Sequence, residues 1–150
     1  DDVKGKSMTF DFGTLYDVGV LGAKIGMSIQ NIGSDMTFLN EKVKMPVFFR
    51  VGGSMDVMQR GDSRLITVVE FTHPSDNSEK LNWGAEYAFR DYVFLRGGYK
   101  FNYDTEGMTA GLGVKFPLTP TKASIARLDY AYQDLKFLEA AHRFSLNISF

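Results

Sequence analysis

Apolar and polar residues alternate along nearly the whole chain. The clearest stretch is residues 21–30. Leu21, Ala23, Ile25, Met27 and Ile29 hold one phase, and Gly22, Lys24, Gly26, Ser28 and Gln30 hold the other. Successive side chains of a strand point to opposite faces, so this segment has one apolar face and one polar face. The pattern recurs in residues 81–90, where Leu81, Trp83, Ala85, Tyr87 and Phe89 share a phase. It recurs again in 93–102 with Val93, Leu95, Gly97, Tyr99 and Phe101, in 108–116 with Met108, Ala110, Leu112, Val114 and Phe116, and in 142–150.

Four further segments follow the pattern less cleanly. Residues 7–16 set Met8, Phe10 and Phe12 against Thr9, Asp11 and Gly13. Residues 47–57 set Phe49, Val51 and Met55 against Arg50, Ser54 and Asp56. Residues 65–72 are apolar on both faces as far as Glu70. In 123–133 the phase changes between Ala123/Ile125 and Leu128/Tyr130/Tyr132, which predicts a bulge near Ile125. The total is about nine strands of roughly 9 to 12 residues, the length that a tilted membrane-crossing strand needs.

The connections alternate in size. Those at 16–20, 58–63, 90–92 and 117–121 are short; 31–45 is long, and 74–79, 102–107 and 134–140 are intermediate. Outer-membrane barrels have short periplasmic turns and longer external loops. Counting back from a periplasmic C-terminus places every short turn on the periplasmic side. Bacterial single-chain barrels have an even strand number, and an unpaired edge in lipid is prohibitive. An odd number of strands is therefore expected N-terminal to Asp1. The predicted fold class is all-β, a transmembrane antiparallel up-and-down barrel, with residues 1–150 forming the C-terminal part of one barrel domain. The last strand is expected to have one ladder neighbour here, residues 123–133, and one bare edge.

Charge supports the assignment of faces. Lys24, Arg50, Asp56, Glu70, Glu86, Arg96, Lys100, Lys115, Arg127, Asp129 and Arg143 all fall on the polar phase. A Lys or Arg facing lipid at mid-depth would cost about 2–4 kcal/mol, so this face is expected to line the lumen. If the turn at 90–92 centres on Asp91, Glu86 opposes Arg96 and Asn82 opposes Lys100. The plainer use of such pairs is to fill a crowded interior and hold the register; substrate contact is the sharper one. On the apolar phase, Trp83, Tyr99, Phe101, Tyr130 and Tyr132 fall towards the external ends, and Tyr16, Phe89, Phe116 and Phe150 towards the periplasmic ends. Such aromatic girdles mark the two membrane interfaces.

Composition narrows the function classes. A net charge of −1 with no basic run gives no attraction for nucleic acid. The chain has no cysteine, so disulfides, thiolate metal sites and a cysteine nucleophile are excluded. His73 and His142 are far apart and neither sits beside a nucleophile pattern, so loop or interface roles are expected rather than a triad or a metal site. Gly97-Gly98 and Gly111-x-Gly113 open no helix. They fit places where lumen bulk must be accommodated, not a phosphate cradle. Arg60-Gly61-Asp62 reads as turn chemistry. No enzymatic activity and no cofactor or metal is expected.

The terminal stretch HRFSLNISF (142–150), with Phe144, Leu146, Ile148 and Phe150, looks like the C-terminal signal that outer-membrane proteins present to the barrel assembly machinery. Over the chain as a whole, FDFGTLY (10–16), GMSIQNIG (26–33), HPSDN (73–77), GAEY (84–87), LRGGY (95–99) and DYAYQD (129–134) resemble the PorV/PorQ family of the long-chain fatty-acid transporter superfamily. The resemblance implies a barrel of about fourteen strands in a Gram-negative outer membrane. It also implies association with type IX secretion, where such barrels bind the translocon and receive exported cargo.

Three functions stand open on the sequence. A partner-binding barrel would use the long 31–45 loop, whose Met36, Phe38, Leu39 and Met45 form an apolar patch that would contact the translocon or cargo. A channel for hydrophobic small molecules would need a greasy path, for which Phe48, Ile66, Val68 and Phe94 are the inward candidates. The third reading is a soluble β-sandwich binding module.

Overall fold

The alternating segments form strands joined in chain order into one sheet. The computed structural model describes residues 7–33, 36–38, 41–118, 124–136 and 138–150. Its strands are β1 (Thr9–Asp17), β2 (Lys24–Gly33), β3 (Met36–Phe38), β4 (Glu41–Val43), β5 (Phe48–Arg60), β6 (Ser63–Pro74), β7 (Lys80–Phe89), β8 (Val93–Phe101), β9 (Met108–Pro117), β10 (Ile125–Gln133) and β11 (Ala141–Ser149). Nine of them make one antiparallel sheet in the order β1-β2-β5-β6-β7-β8-β9-β10-β11, and β3 and β4 pair only with each other. Among the described residues no second sheet packs across the nine strands, so these residues do not form a sandwich. The sheet is not closed: β1 pairs only with β2, and β11 only with β10.

The turns explain how the chain reverses. Arg90 and Asp91 both adopt positive φ, and Tyr92 N donates to Phe89 O at 3.0 Å. The register that follows sets Glu86 opposite Arg96 and Asn82 opposite Lys100, as a turn centred on Asp91 requires. Gly61 (φ 57°) and Asp62 link β5 to β6, which puts Arg60-Gly61-Asp62 in a turn. Antiparallel order puts the connections at 18–23, 61–62, 90–92 and 118–124 at one end, which has the two tightest turns, and those between β2 and β5 and at 75–79, 102–107 and 134–140 at the other, which has the longest; the lengths overlap, since 18–23 and 118–124 both exceed 75–79.

Two local expectations change. Residues 21–23 belong to the first turn rather than to β2. Leu21 and Gly22 have positive φ, and Ala23 N bonds back to Val20 O at 2.9 Å. The expected bulge near Ile125 is absent, because β10 runs in unbroken register with both β9 and β11 from Ile125 onward. Ile125 simply takes the polar phase with Arg127, at the turn end beside Tyr92 and Pro117; Ala123 lies outside the described residues. The bulges fall elsewhere. One sits where β2 places Gln30 and Asn31 opposite Asp11, with Asn31 at φ 61° and its N donating to Asp11 Oδ1 at 2.9 Å. The other inserts Val57 into β5.

A conventional core is missing. Among the described residues the buried positions are Thr72, Pro74, Ala88, Phe94, Gly107, Gly113 and Ala126, and no large side chain is fully buried. The apolar phase instead forms one continuous exposed surface, running through Ile25, Met27, Phe49, Val69, Trp83, Leu95, Leu112 and Leu128. Between strand ends, register puts no Asp, Glu, Lys or Arg of the nine strands on this face outside the Asp11 bulge.

Neighbouring glycines give a test of the packing. A Cβ on Gly98 would lie 2.8 Å from Trp83 O and 2.9 Å from Thr109 Oγ1, whereas a Cβ on Gly97 meets nothing within 4 Å. Gly98→Ala should destabilise the fold by about 1–3 kcal/mol, and Gly97→Ala by less than about 0.5 kcal/mol. Denaturant titration of the two variants side by side checks this; equal midpoints would contradict the packing described.

Candidate functional site

The polar phase gathers on the concave side of the sheet. Glu70 (β6), Asn82 (β7), Lys100 (β8), Thr109 (β9), Gln133 (β10) and Arg143 (β11) line one groove of about 750 Å³. Side chains from strands this far apart can share a groove only if the sheet curls towards them.

Register places every charged residue singled out in the sequence on this face. Lys24 opposes Ser54, and Arg50 lies between Ser28 and Thr72. Glu70 lies between Gly52 and Asn82, while Ile66 separates Asp56 from Glu86. Glu86 opposes Arg96, and Lys100 opposes Asn82. Lys115 opposes Arg127, and Asp129 lies between Gly113 and Ser145. Arg143 opposes Ala131.

Four of them come together. Arg96 Nε donates to Glu86 Oε2 at 2.5 Å, and Arg96 Nη1 donates to Asp129 Oδ1 at 2.6 Å. Arg127 Nε donates to Asp129 Oδ2 at 2.8 Å. The carbons at the centres of the Arg96 and Arg127 guanidiniums lie 5.5 and 4.6 Å from the centre of the Phe94 ring, so two cations share one aromatic platform. Two acids balance two bases, which leaves the cluster neutral.

The glycines of β9 make this reach possible. Arg96 opposes Gly111 on β9, and Asp129 opposes Gly113 from the other side. A Cβ on Gly113 would meet Asp129 Oδ1 at 2.5 Å and Arg96 Nη1 at 3.1 Å. The guanidinium therefore crosses a whole strand over bare backbone, and the Gly111-x-Gly113 spacing is what leaves room for it.

Sequence reasoning missed several partners. Lys100 Nζ pairs with Glu106, a loop residue that has no strand phase to reveal it. Asp56 pairs with Arg64 at 3.4 Å, and Arg64 was legible from its phase with Ile66. Asn82 Nδ2 donates to Glu70 Oε1 at 3.2 Å. Phe48, Ile66, Val68 and Phe94 also lie on the polar phase, but Phe94 is covered by the two arginines.

The convex face has its own order. Trp83, Tyr99, Phe101, Tyr130 and Tyr132 fall towards the long-loop end, and Tyr16, Phe89 and Phe116 towards the short-turn end. His142 Nδ1 shares a 2.8 Å hydrogen bond with Tyr130 Oη, and the Tyr130 and Phe144 rings are 5.0 Å apart. Phe144, Leu146 and Ile148 line the outer face of β11, and Phe150 follows its end. His73 sits 3.3 Å from Glu79 at the long-loop end. Among the described residues no three His, Asp or Glu side chains gather in a metal-binding arrangement. In the 31–45 connection, Met36 and Phe38 belong to β3, Met45 Sδ accepts from Ser7 Oγ at 3.5 Å, and Leu39 lies outside the described residues.

No family model matches the chain, and no curated protein and no solved structure matches it either.

The cluster should behave as a unit. Asp129→Asn strips two arginines of their shared counter-charge and should destabilise the sheet by about 1–3 kcal/mol. In a double-mutant cycle, Arg96→Ala and Asp129→Ala should couple by more than about 0.5 kcal/mol. Strictly additive losses would mean that the contact carries no energy.

Proposed function

We propose that this chain forms part of an outer-membrane β-barrel whose convex face meets lipid and whose concave face lines the lumen. One observation carries the reading: a single curved sheet whose exposed convex face is apolar and, between strand ends and away from the Asp11 bulge, free of charge, with its charges gathered on the concave face. In water, half-exposing so many large apolar side chains forfeits on the order of 1 kcal/mol for each. In a bilayer the same face is solvated, and the aromatic bands fall where the interfaces would be.

Within that reading, the role we favour is a partner-binding barrel of the PorV/PorQ kind, associated with type IX secretion. Its support is the run of resembling segments from residue 10 to residue 150. The long connection between β2 and β5 would present the contact surface to translocon or cargo. A channel for hydrophobic small molecules is the second reading. The neutral Arg96–Glu86–Asp129–Arg127 cluster weighs against it, because it puts ion pairs where an apolar path along β7–β10 would run.

Two measurements test these levels separately. Leu112→Arg puts a cation on the convex face and should cost about 2–4 kcal/mol of folding stability in lipid, while the protein should partition with membranes. Recovery in the aqueous fraction would overturn the barrel reading. Affinity purification of the full-length protein from its native membrane should recover a secretion component; its consistent absence would leave the barrel but remove the secretion role.

A further inference from the structure

The concave face is not uniform. Over β7–β10 Arg96 and Arg127 share Glu86 and Asp129, and Lys100 pairs with Glu106, while Lys115 opposite Arg127 adds a further positive charge. Over β1–β6 a second groove, of about 520 Å³, is lined by two cations, Lys24 and Arg50, and one acid, Glu70. Three cross-strand pairs of β2 and β5 build it in sequence: Lys24 opposite Ser54, Gly26 opposite Gly52, and Ser28 opposite Arg50. Each end of the groove thus has one cation and one hydroxyl, and between them lies a floor of two glycines. Gly13 of β1 extends that floor beside Ser28.

Neither Lys24 nor Arg50 has an acid within ion-pair distance among the described residues. Arg50 Nε is buried and has no hydrogen-bond partner among the described residues, and the Phe48 ring centre lies 5.8 Å from the guanidinium carbon. The acids nearby are otherwise engaged. Glu70, opposite Gly52, accepts from Asn82 Nδ2 at 3.2 Å and from Thr72 Oγ1 at 3.5 Å. Asp17, opposite Lys24, accepts from Gly19 N at 2.8 Å, and Asp56 pairs with Arg64. Counting Glu70, the groove carries one net positive charge.

We propose that this groove is a binding site for a small oxyanion of single charge, a carboxylate or a phosphodiester. It would be seated on the Gly26–Gly52 floor and held by Arg50 and Lys24, with Ser28 and Ser54 donating. A desolvated guanidinium N–H left without an acceptor is costly, and a charge-assisted bond to an oxyanion removes that cost. The glycines matter because any side chain there would occupy the seat. A Cβ on Gly26 would meet Leu15 Cδ1 at 3.6 Å and Thr14 O at 3.9 Å, which are ordinary contacts, whereas a Cβ on Gly52 would lie 3.0 Å from Val69 O; crowding therefore accounts for Gly52 but not for Gly26. The site requires only that the concave face hold water, so it does not depend on the secretion role. Its failure is also distinct from failure in the membrane-partition test.

The test is calorimetric titration of the full-length protein in detergent with sodium acetate and, separately, sodium dimethyl phosphate, against a constant chloride background. Saturable binding of at least one is expected, and the tighter of the two identifies the oxyanion class. K24Q and R50Q should each weaken it by about tenfold or more. Lys115→Gln, which removes another concave-face cation outside the groove, should leave it unchanged. Gly26→Ala, which the space around the floor tolerates, should weaken binding while the unfolding midpoint stays in place; it serves if R50Q does not fold. Absence of saturable binding with both anions overturns the proposal. So does binding that survives K24Q and Gly26→Ala, or a Lys115→Gln loss as large as that of K24Q.

Discussion

Everything in this structure follows from one constraint: a single curved sheet has no second layer to bury its apolar face. A soluble β protein folds its apolar phase against another sheet or a helix, and its net stability is the small surplus left after conformational entropy is offset. Here most large apolar side chains of the nine strands stand on the convex face, and among the described residues Phe94 is the one aromatic that is buried. Such a face calls for surroundings that solvate it. Those surroundings invert the usual placement of charge, because ionised groups must then collect on the inner side.

Crowding charges on a concave face creates a second problem, which the molecule solves with glycine. Polar side chains on neighbouring strands point into a narrowing space, and each must still find a partner in it. Along β9 the answer is Gly111 and Gly113, which let Arg96 pass over a whole strand and join an acid two strands away. Along β2 and β5 the same device, Gly26 beside Gly52, has no ion pair lying across it among the described residues, and the Leu15 side chain borders it. One glycine pair is covered by an ion-pair cluster and the other is left open between two cations. This difference makes the two halves of the face chemically unequal.

The period-2 pattern makes the strands, their faces and the placement of the charges legible in the sequence alone, since in a single meander each residue's phase decides its face. Register is legible where the turn is, so the Glu86–Arg96 pair can be read from Asp91. What stays hidden depends on contacts that phase does not encode. Asp129 joins Arg96 from 33 positions away, along a diagonal that only a bare strand permits. Glu106 reaches Lys100 from a loop. The bulge at Asn31 comes from a left-handed residue whose amide is caught by Asp11, and nothing in the alternation signals it. The phase change before Leu128 suggests a bulge, yet an apolar residue at a strand end can simply face inward beside the turn, as Ile125 does.

The two free edges carry the remaining information. In an antiparallel sheet of nine strands the first and last run in the same direction, so β1 and β11 cannot pair with each other in the antiparallel sense. Natural sheets blunt exposed edges with lysine or proline. Neither β1 nor β11 contains either residue, and Leu15 and Phe144 are 71% and 81% exposed beside these edges. Edges of this kind are suited to pairing rather than to solvent. Antiparallel closure between them takes an odd number of intervening strands, which is the same parity that an even-stranded barrel demands. In the proposed barrel β11 is thus half of a seam, and its unpaired edge is the most exposed consequence of a fold that buries almost nothing within itself.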